Sequence, residues 1–227
     1  MEKHTYEIEI KSLLGTKEKA EAFKKRLKEI DPKTSLFAES KQLNHYFMHG
    51  DKEKLIEKIS PILPSSEQPR FEKLLREASD FSLRTRQADD KIIFVLKISM
   101  NDETSSNGVK RLEFEATISN MTLEELDNLI LSANFEYQAK WSREREEYHH
   151  QNATVTVDKN AGYGYVAEFE LMENDESKID AARENLLKLM AAVGVEELDQ
   201  KRLGRMFDYY NQNWQEYYGT DKVFEIL

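Results

Sequence analysis

Tyr6–Ser12 reads YEIEIKS, and its strict alternation decides how this chain is built. Tyr6, Ile8 and Ile10 fall on one side, with Glu7, Glu9 and Lys11 on the other. A period of two means a β-strand, here with one apolar and one fully charged face. The pattern recurs down the chain. Asp80–Gln87 (DFSLRTRQ) and Lys91–Ser99 (KIIFVLKIS) flank the turn Ala88-Asp89-Asp90 and read as a hairpin, with Arg84 and Arg86 on one arm and Lys97 near the end of the other. Val109–Ile118 sets Arg111, Glu113 and Glu115 opposite Leu112 and Phe114. Phe135–His150 alternates Arg143, Arg145 and Glu147, Ala153–Asp158 ends on Asp158, and Gly164–Met172 places Glu168 and Glu170 around Phe169.

Between the strands, helical spacing appears at Lys17–Ile30, where Ala20, Phe23, Leu27 and Ile30 form a stripe that Asp31-Pro32 ends. Gln42–His49 reads as a short aromatic strand, and Lys52–Ile59 and Arg70–Ser79 as two helical pieces. Asn120–Asn134 is a helix whose Thr122–Glu125 start resembles a capping box. Ser177–Val193 is an amphipathic helix ended by Gly194. Asn101–Gly108 is a polar loop, and Gly162-Tyr163-Gly164 is a turn before a strand, without the spacing of a dinucleotide loop. No linker or repeat divides residues 1–227, so a single domain is expected, with a helical and aromatic extension from about Val195.

The chain has 227 residues, 39% of them hydrophobic and 33% charged, enough to bury a core without staples. It has no Cys, which excludes disulfides, Cys-ligated zinc and thiol catalysis. No apolar run approaches a membrane span, and Met1–Ser12 lacks a signal-peptide core, so a cytoplasmic protein without membrane association is expected. The formal net charge of −10 argues against general nucleic-acid binding.

Charged strand faces are ordinarily solvent faces of an antiparallel sheet. Two details point elsewhere. These faces are made almost wholly of Glu and Arg rather than a mixture with Thr, Ser and Gln. The opposite faces are strongly apolar, which fits a barrel wall covered outside by helices, with the charges turned inward. The inward set holds seven cations (Lys11, Arg84, Arg86, Lys97, Arg111, Arg143, Arg145) and seven acids (Glu7, Glu9, Glu113, Glu115, Asp158, Glu168, Glu170). Buried charge on that scale is costly unless paired or matched to a ligand. A polyphosphate with its metal needs both signs: Arg and Lys neutralise phosphate oxygens, while carboxylates hold Mg²⁺ or Mn²⁺.

The order of these motifs resembles the CYTH superfamily, the triphosphate tunnel metalloenzymes, whose hallmark is an E-x-E-x-K strand, here Glu7–Lys11. The resemblance runs over about Tyr6–Leu171. It implies an α+β fold, a closed antiparallel eight-stranded β-barrel or tunnel with helices packed outside. It also implies that Lys11, Arg84, Arg86, Lys97, Arg143 and Arg145 grip a triphosphate, with Arg111 and Lys140 as further candidates. Glu7, Glu9, Glu115, Glu168, Glu170 and Asp158 would hold Mg²⁺ or Mn²⁺, with Glu113 as a further candidate. Within this set Glu7, Glu9, Lys11, Arg86 and Lys97 are the expected catalytic residues. The family often has Lys-x-Arg where this chain has Arg143-Glu144-Arg145, which leaves the roles of Lys140, Arg143 and Arg145 open.

The resulting expectation is a metal-dependent triphosphatase acting on tripolyphosphate, ATP, thiamine triphosphate or a similar small molecule. Cyclisation of ATP to cyclic AMP, as in class IV adenylate cyclases, is the second reading, and a non-catalytic polyphosphate-binding module the third. A homodimer is compatible with all three. His149-His150 is a weak metal candidate, because strand neighbours point to opposite faces and a strand end is expected to be exposed. The tail aromatics Tyr209, Tyr210, Trp214, Tyr217 and Tyr218 are expected to pack rather than stack on a base. Lys24-Lys25-Arg26 is expected to be a solvated helix face.

Overall fold

A computed structural model describes residues 6–99 and 111–226. The fold is α+β, with an eight-stranded antiparallel sheet and, among the described residues, six α-helices. The strands are β1 (Tyr6–Gly15), β2 (Ser35–Met48), β3 (Phe81–Ala88), β4 (Lys91–Ser99), β5 (Arg111–Ile118), β6 (Glu136–His150), β7 (Ala153–Asn160) and β8 (Gly164–Glu173). They are hydrogen-bonded in the order β1-β8-β7-β6-β2-β3-β4-β5. β1 and β5 end that order, and no ladder joins them among the described residues, so the expected barrel closure is not part of the observed hydrogen bonding. The helices are α1 (Lys17–Ile30), α2 (Lys52–Ile59), α3 (Gln68–Glu77), α4 (Leu123–Ser132), α5 (Ile179–Ala192) and α6 (Gln200–Tyr217). None of the described helices is long and apolar enough to cross a membrane.

The chain divides into two compact units, with β2 and β6 contributing residues to both. Unit one, described over 6–40 and 142–226, has its core on the apolar side of β1, β7 and β8. There Ile8, Ile10, Val155, Val157 and Phe169 meet Phe23 and Leu27 of α1 and Leu186 and Met190 of α5. The rings of Phe23 and Phe169 pack edge to face, 5.9 Å apart. Each fully buried side chain of this size contributes about 1.5–3 kcal/mol, so the helices are held by the face that alternation marks as apolar. Thr16 caps α1 through Lys19 N. Gly164 sits at φ +72°, and a Cβ there would come within 2.3 Å of Gly15 O, so the turn before β8 requires glycine.

Unit two, described over 41–99 and 111–141, repeats the logic. Leu83, Phe94, Leu96 and Phe114 project from β3, β4 and β5 onto Leu55 and Ile59 of α2, Phe71 and Leu75 of α3, and Leu126 and Ile130 of α4. Thr122 and Glu125 form the expected reciprocal capping box on α4.

Most elements follow the sequence; two boundaries and one surface residue differ. β2 begins at Ser35, seven residues before the aromatic stretch, because Ser35–Lys41 is largely exposed and shows no alternation. α6 continues to Tyr217, so Tyr209, Tyr210, Trp214 and Tyr217 are helical and Tyr218 is its C-cap. Tyr210 and Tyr217 are buried and pack beside one another, as expected, whereas Tyr209 is exposed. Lys24 is not solvated, since its Nζ lies 2.8 Å from Glu21 and 3.0 Å from Glu146. The loop Asn101–Gly108 lies outside the described residues.

Candidate functional site

In unit one, the ladders set the charged residues side by side. Lys11 pairs with Glu168 and Glu9 with Glu170 across β1 and β8. Thr156 pairs with Glu168 across β7 and β8, and Asp158 with Arg145 across β7 and β6. Directly opposed residues of an antiparallel pair share a face, and so do residues two apart along a strand. Glu7, Glu9, Lys11, Arg143, Arg145, Asp158, Glu168 and Glu170 therefore occupy one face, opposite the core.

On that face the cations are already engaged. Arg145 donates to Asp158 through Nε at 2.7 Å and Nη2 at 2.6 Å, and its Nη2 also reaches Glu168 Oε2 at 2.6 Å. Arg143 Nη1 donates to the same Asp158 carboxylate at 2.9 Å. Lys11 Nζ lies 2.8 Å from Glu168 Oε1 and also pairs with Glu9. The Asp158 side chain is 1% exposed, so this is a charge cluster shielded from water rather than a set of surface pairs. Burial alone would raise the Glu168 carboxyl, but Lys11, Arg145 and Arg143 hold it well below the ordinary carboxylate range. Burial would likewise lower Arg145, and the charges of Glu168 and Asp158 override it upward.

Unit two carries a looser counterpart. Arg84 and Arg86 share a face of β3, with Val95 and Ile93 opposite them on β4 and Tyr46 and Asn44 opposite them on β2. Arg84 donates to the Tyr46 hydroxyl at 2.9 Å and stands 3.6 and 3.9 Å from Glu113 and Glu115. Arg86 donates from Nε to Asn44 Oδ1 at 3.0 Å and from Nη1 to Glu115 at 3.2 Å. Lys97 Nζ stands 3.2 Å from Glu113. Burial would lower the Arg84 guanidinium, but Tyr46, Glu113 and Glu115 push it upward, so it stays cationic. Lys140 Nζ stands 4.0 Å from the Tyr137 ring centroid. Arg111 opens β5, and its side chain lies outside the described residues.

Apart from Arg111 and Lys140, the expected residues thus share a strand face within their own unit. Over residues 5–202 the sequence matches the CYTH domain family, most of its length. The chain belongs to the CYTH family. Solved structures with the same fold include a protein from Vibrio parahaemolyticus described as a candidate adenylate cyclase, 15% identical, covering 90% of this chain and 99% of its own, with a TM-score of 0.60. A protein from Pyrococcus horikoshii is 20% identical over 93% of this chain and 99% of its own, with a TM-score of 0.61. A search of curated proteins finds no match.

Among the described residues of this CYTH chain, no group of three or more Asp, Glu or His side chains stands as a ready-made chelate. The donor set nevertheless fits a hard divalent cation. Glu9 and Glu170 face each other across β1 and β8, which sets two hard oxygen donors side by side next to Lys11. Mg²⁺ takes only one or two carboxylates, completing its shell with water and phosphate oxygens. Two buried polar atoms on these faces also have no hydrogen-bond partner, Thr156 Oγ1 and Arg84 Nε, and such atoms ordinarily mark a missing water, ion or ligand.

Asn44, Tyr46 and Thr156 were not among the residues expected at the site. The sequence signal for all three is parity: each lies on the charged side of its strand once register is known. His149 and His150 do point to opposite sides, but only His149 is exposed, stacked 4.0 Å from Phe37. His150 is fully buried, with Nδ1 2.8 Å from the Thr34 hydroxyl, so the expectation that both histidines are exposed is corrected.

Proposed function

We propose that this chain is a divalent-metal-dependent enzyme that hydrolyses tripolyphosphate or the triphosphate group of a small organic molecule. The observation that carries the reading is the sharing of two carboxylates, Asp158 and Glu168, by three cations, Lys11, Arg143 and Arg145. A guanidinium fork fits phosphate as well as carboxylate, and that shared chemistry supports assigning these arginines to phosphate oxygens. Lys11, Arg84, Arg86, Lys97, Arg143 and Arg145 are assigned to the triphosphate, with Lys140 and Arg111 as secondary contacts. Glu7, Glu9 and Glu170 are assigned to Mg²⁺ or Mn²⁺, with Glu113 and Glu115 as further candidates. Asp158 and Glu168 hold the cations in place. When bound, the metal neutralises phosphate charge and activates water. The protein residues bind the polyanion, orient it and supply fixed positive charge around the phosphorus under attack.

The closed eight-stranded barrel and the single-domain organisation belong to this proposal, as do cytoplasmic location and homodimerisation. The likeness to a candidate adenylate cyclase is one of fold, and ATP cyclisation is an outcome of the test rather than the reading favoured. The test is incubation with tripolyphosphate, ATP and thiamine triphosphate, each with Mg²⁺, Mn²⁺ or EDTA, followed by product identification. Orthophosphate release with metal supports the proposal; no turnover of any of the three overturns it.

A further inference from the structure

The core of unit two contains a charged group that a core would ordinarily exclude. Asp127 of α4 is 2% exposed. Its Oδ1 accepts from the Thr85 hydroxyl at 2.6 Å, and its Oδ2 accepts from the Tyr137 hydroxyl at 2.8 Å. His45 Nδ1 lies 2.6 Å from Oδ2, and because a carboxylate only accepts, Nδ1 carries the proton. A buried carboxylate is tolerated only when its lone pairs are met in this way.

The placement of two of these partners, Thr85 and His45, carries the inference. Thr85 lies between Arg84 and Arg86 on β3, and His45 lies between Asn44 and Tyr46 on β2. His45 and Thr85 are directly opposed in the β2–β3 ladder. The pairs on either side of them are Asn44 with Arg86 and Tyr46 with Arg84, the same pairs whose side chains hydrogen-bond on the charged face. One carboxylate on the core side therefore fastens the single cross-strand pair whose two neighbours hold both guanidinium groups. A slip of one residue would exchange the faces of these strands, and Asp127 opposes it at that pair.

We propose that Asp127 is a positioning residue for Arg84 and Arg86. It touches neither arginine and acts through Thr85 and His45. Its consequence for substrate rests on the triphosphate reading above, whereas its effect on the arginines does not.

The test has two arms. In the first, the side-chain Nε–Hε NMR signals of Arg84 and Arg86, assigned with Arg→Lys variants, are compared in wild type, Asp127→Asn and Thr85→Val. Ile130→Ala, which opens the same core from the same helix without touching Asp127, serves as control. Both arginine signals should shift and broaden in Asp127→Asn and Thr85→Val, and stay in place in Ile130→Ala. In the second arm, calorimetry with tripolyphosphate and Mg²⁺ should show about 10–100-fold weaker binding in Asp127→Asn, the usual cost of losing an outer support, and wild-type affinity in Ile130→Ala. If Asp127→Asn does not fold, Thr85→Val decides both arms. Arginine signals that do not move, or a binding loss no larger than in Ile130→Ala, overturn the inference. If wild type does not bind tripolyphosphate, the triphosphate reading falls and the first arm alone decides for or against Asp127.

Discussion

Arg145 grips Asp158 with two hydrogen bonds, from Nε at 2.7 Å and Nη2 at 2.6 Å, and the acid it grips is 1% exposed. Because Arg143 donates to the same carboxylate, Asp158 is shared by two guanidinium groups at once, with Glu168 as the second acid on Arg145. Removing one partner of such a cluster leaves uncompensated charge where water does not reach.

Asp158→Asn should therefore cost about 3–5 kcal/mol of stability at neutral pH, the range for breaking a buried pair. Urea unfolding measures it. Tripolyphosphate should recover part of the loss, because its oxygens supply the missing negative charge. A loss below about 1 kcal/mol, the scale of surface pairs, would mean the arginines are neutralised elsewhere.

The depressed Glu168 carboxyl gives stability a definite pH dependence. In the unfolded chain a glutamate titrates near about 4.3, and in the fold Lys11, Arg145 and Arg143 hold Glu168 well below its ordinary value against the upward push of burial. The folded state thus binds the proton less readily. Its contribution is complete above the unfolded value and is lost as pH falls through the folded one. Glu168→Gln should be less stable than wild type at neutral pH, and the two Tm values should converge under acid. A gap that stays constant down to strongly acidic pH would show that Glu168 is not the group responsible.

The alternation in Tyr6–Lys11, Arg84–Arg86, Glu113–Glu115 and Glu168–Glu170 makes both faces legible from residue order alone, because a period of two fixes side-chain direction wherever register holds. Asp127 is not legible in that way. It lies in Leu123–Ser132 like any exposed helix acid, and its partners His45 and Thr85 are 82 and 42 residues away. The first half of β2 is hidden for a different reason. Its apolar residues Leu36, Phe37 and Ala38 are consecutive rather than alternating, and Leu36 and Phe37 are exposed. No period of two shows there, and pairing with a neighbouring strand makes it a strand. The continuation of α6 past Asp208 is hard to read because its buried stripe, Met206, Tyr210 and Tyr217, is widely spaced.

Single-charge variants should separate binding from chemistry. Lys11→Ala and Arg86→Ala each remove a charge-assisted contact of roughly 1.5–3 kcal/mol, so tripolyphosphate should bind about one to two orders of magnitude more weakly. Glu9→Ala should instead act mainly on kcat, by on the order of 100-fold if it positions the metal. Its fold should survive, since Lys11 keeps Glu168 as a partner. Calorimetry and steady-state kinetics with Mg²⁺ check both. Wild-type behaviour in all three variants would return these residues to an ordinary solvated face.

Hydrolysis and cyclisation differ in what they ask of a site. A cyclase must hold the ribose 3′-hydroxyl in line with the α-phosphorus, so it needs contacts to sugar and base beyond the polyphosphate grip. A tripolyphosphatase needs the grip, the metal and a water at the terminal phosphorus. The groups gathered here are charged side chains with a phenol and an amide behind them, Tyr46 and Asn44, both already hydrogen-bonded to arginines. They suit phosphate oxygens, and none of these named groups is assigned to a base. Tripolyphosphate should therefore be turned over with a higher kcat/KM than ATP, giving orthophosphate and pyrophosphate, and EDTA should abolish the reaction until Mg²⁺ or Mn²⁺ is restored. Cyclic AMP and pyrophosphate from ATP, with tripolyphosphate acting only as an inhibitor, would replace the hydrolase reading with the cyclase one. Full turnover in EDTA would remove the metal from both.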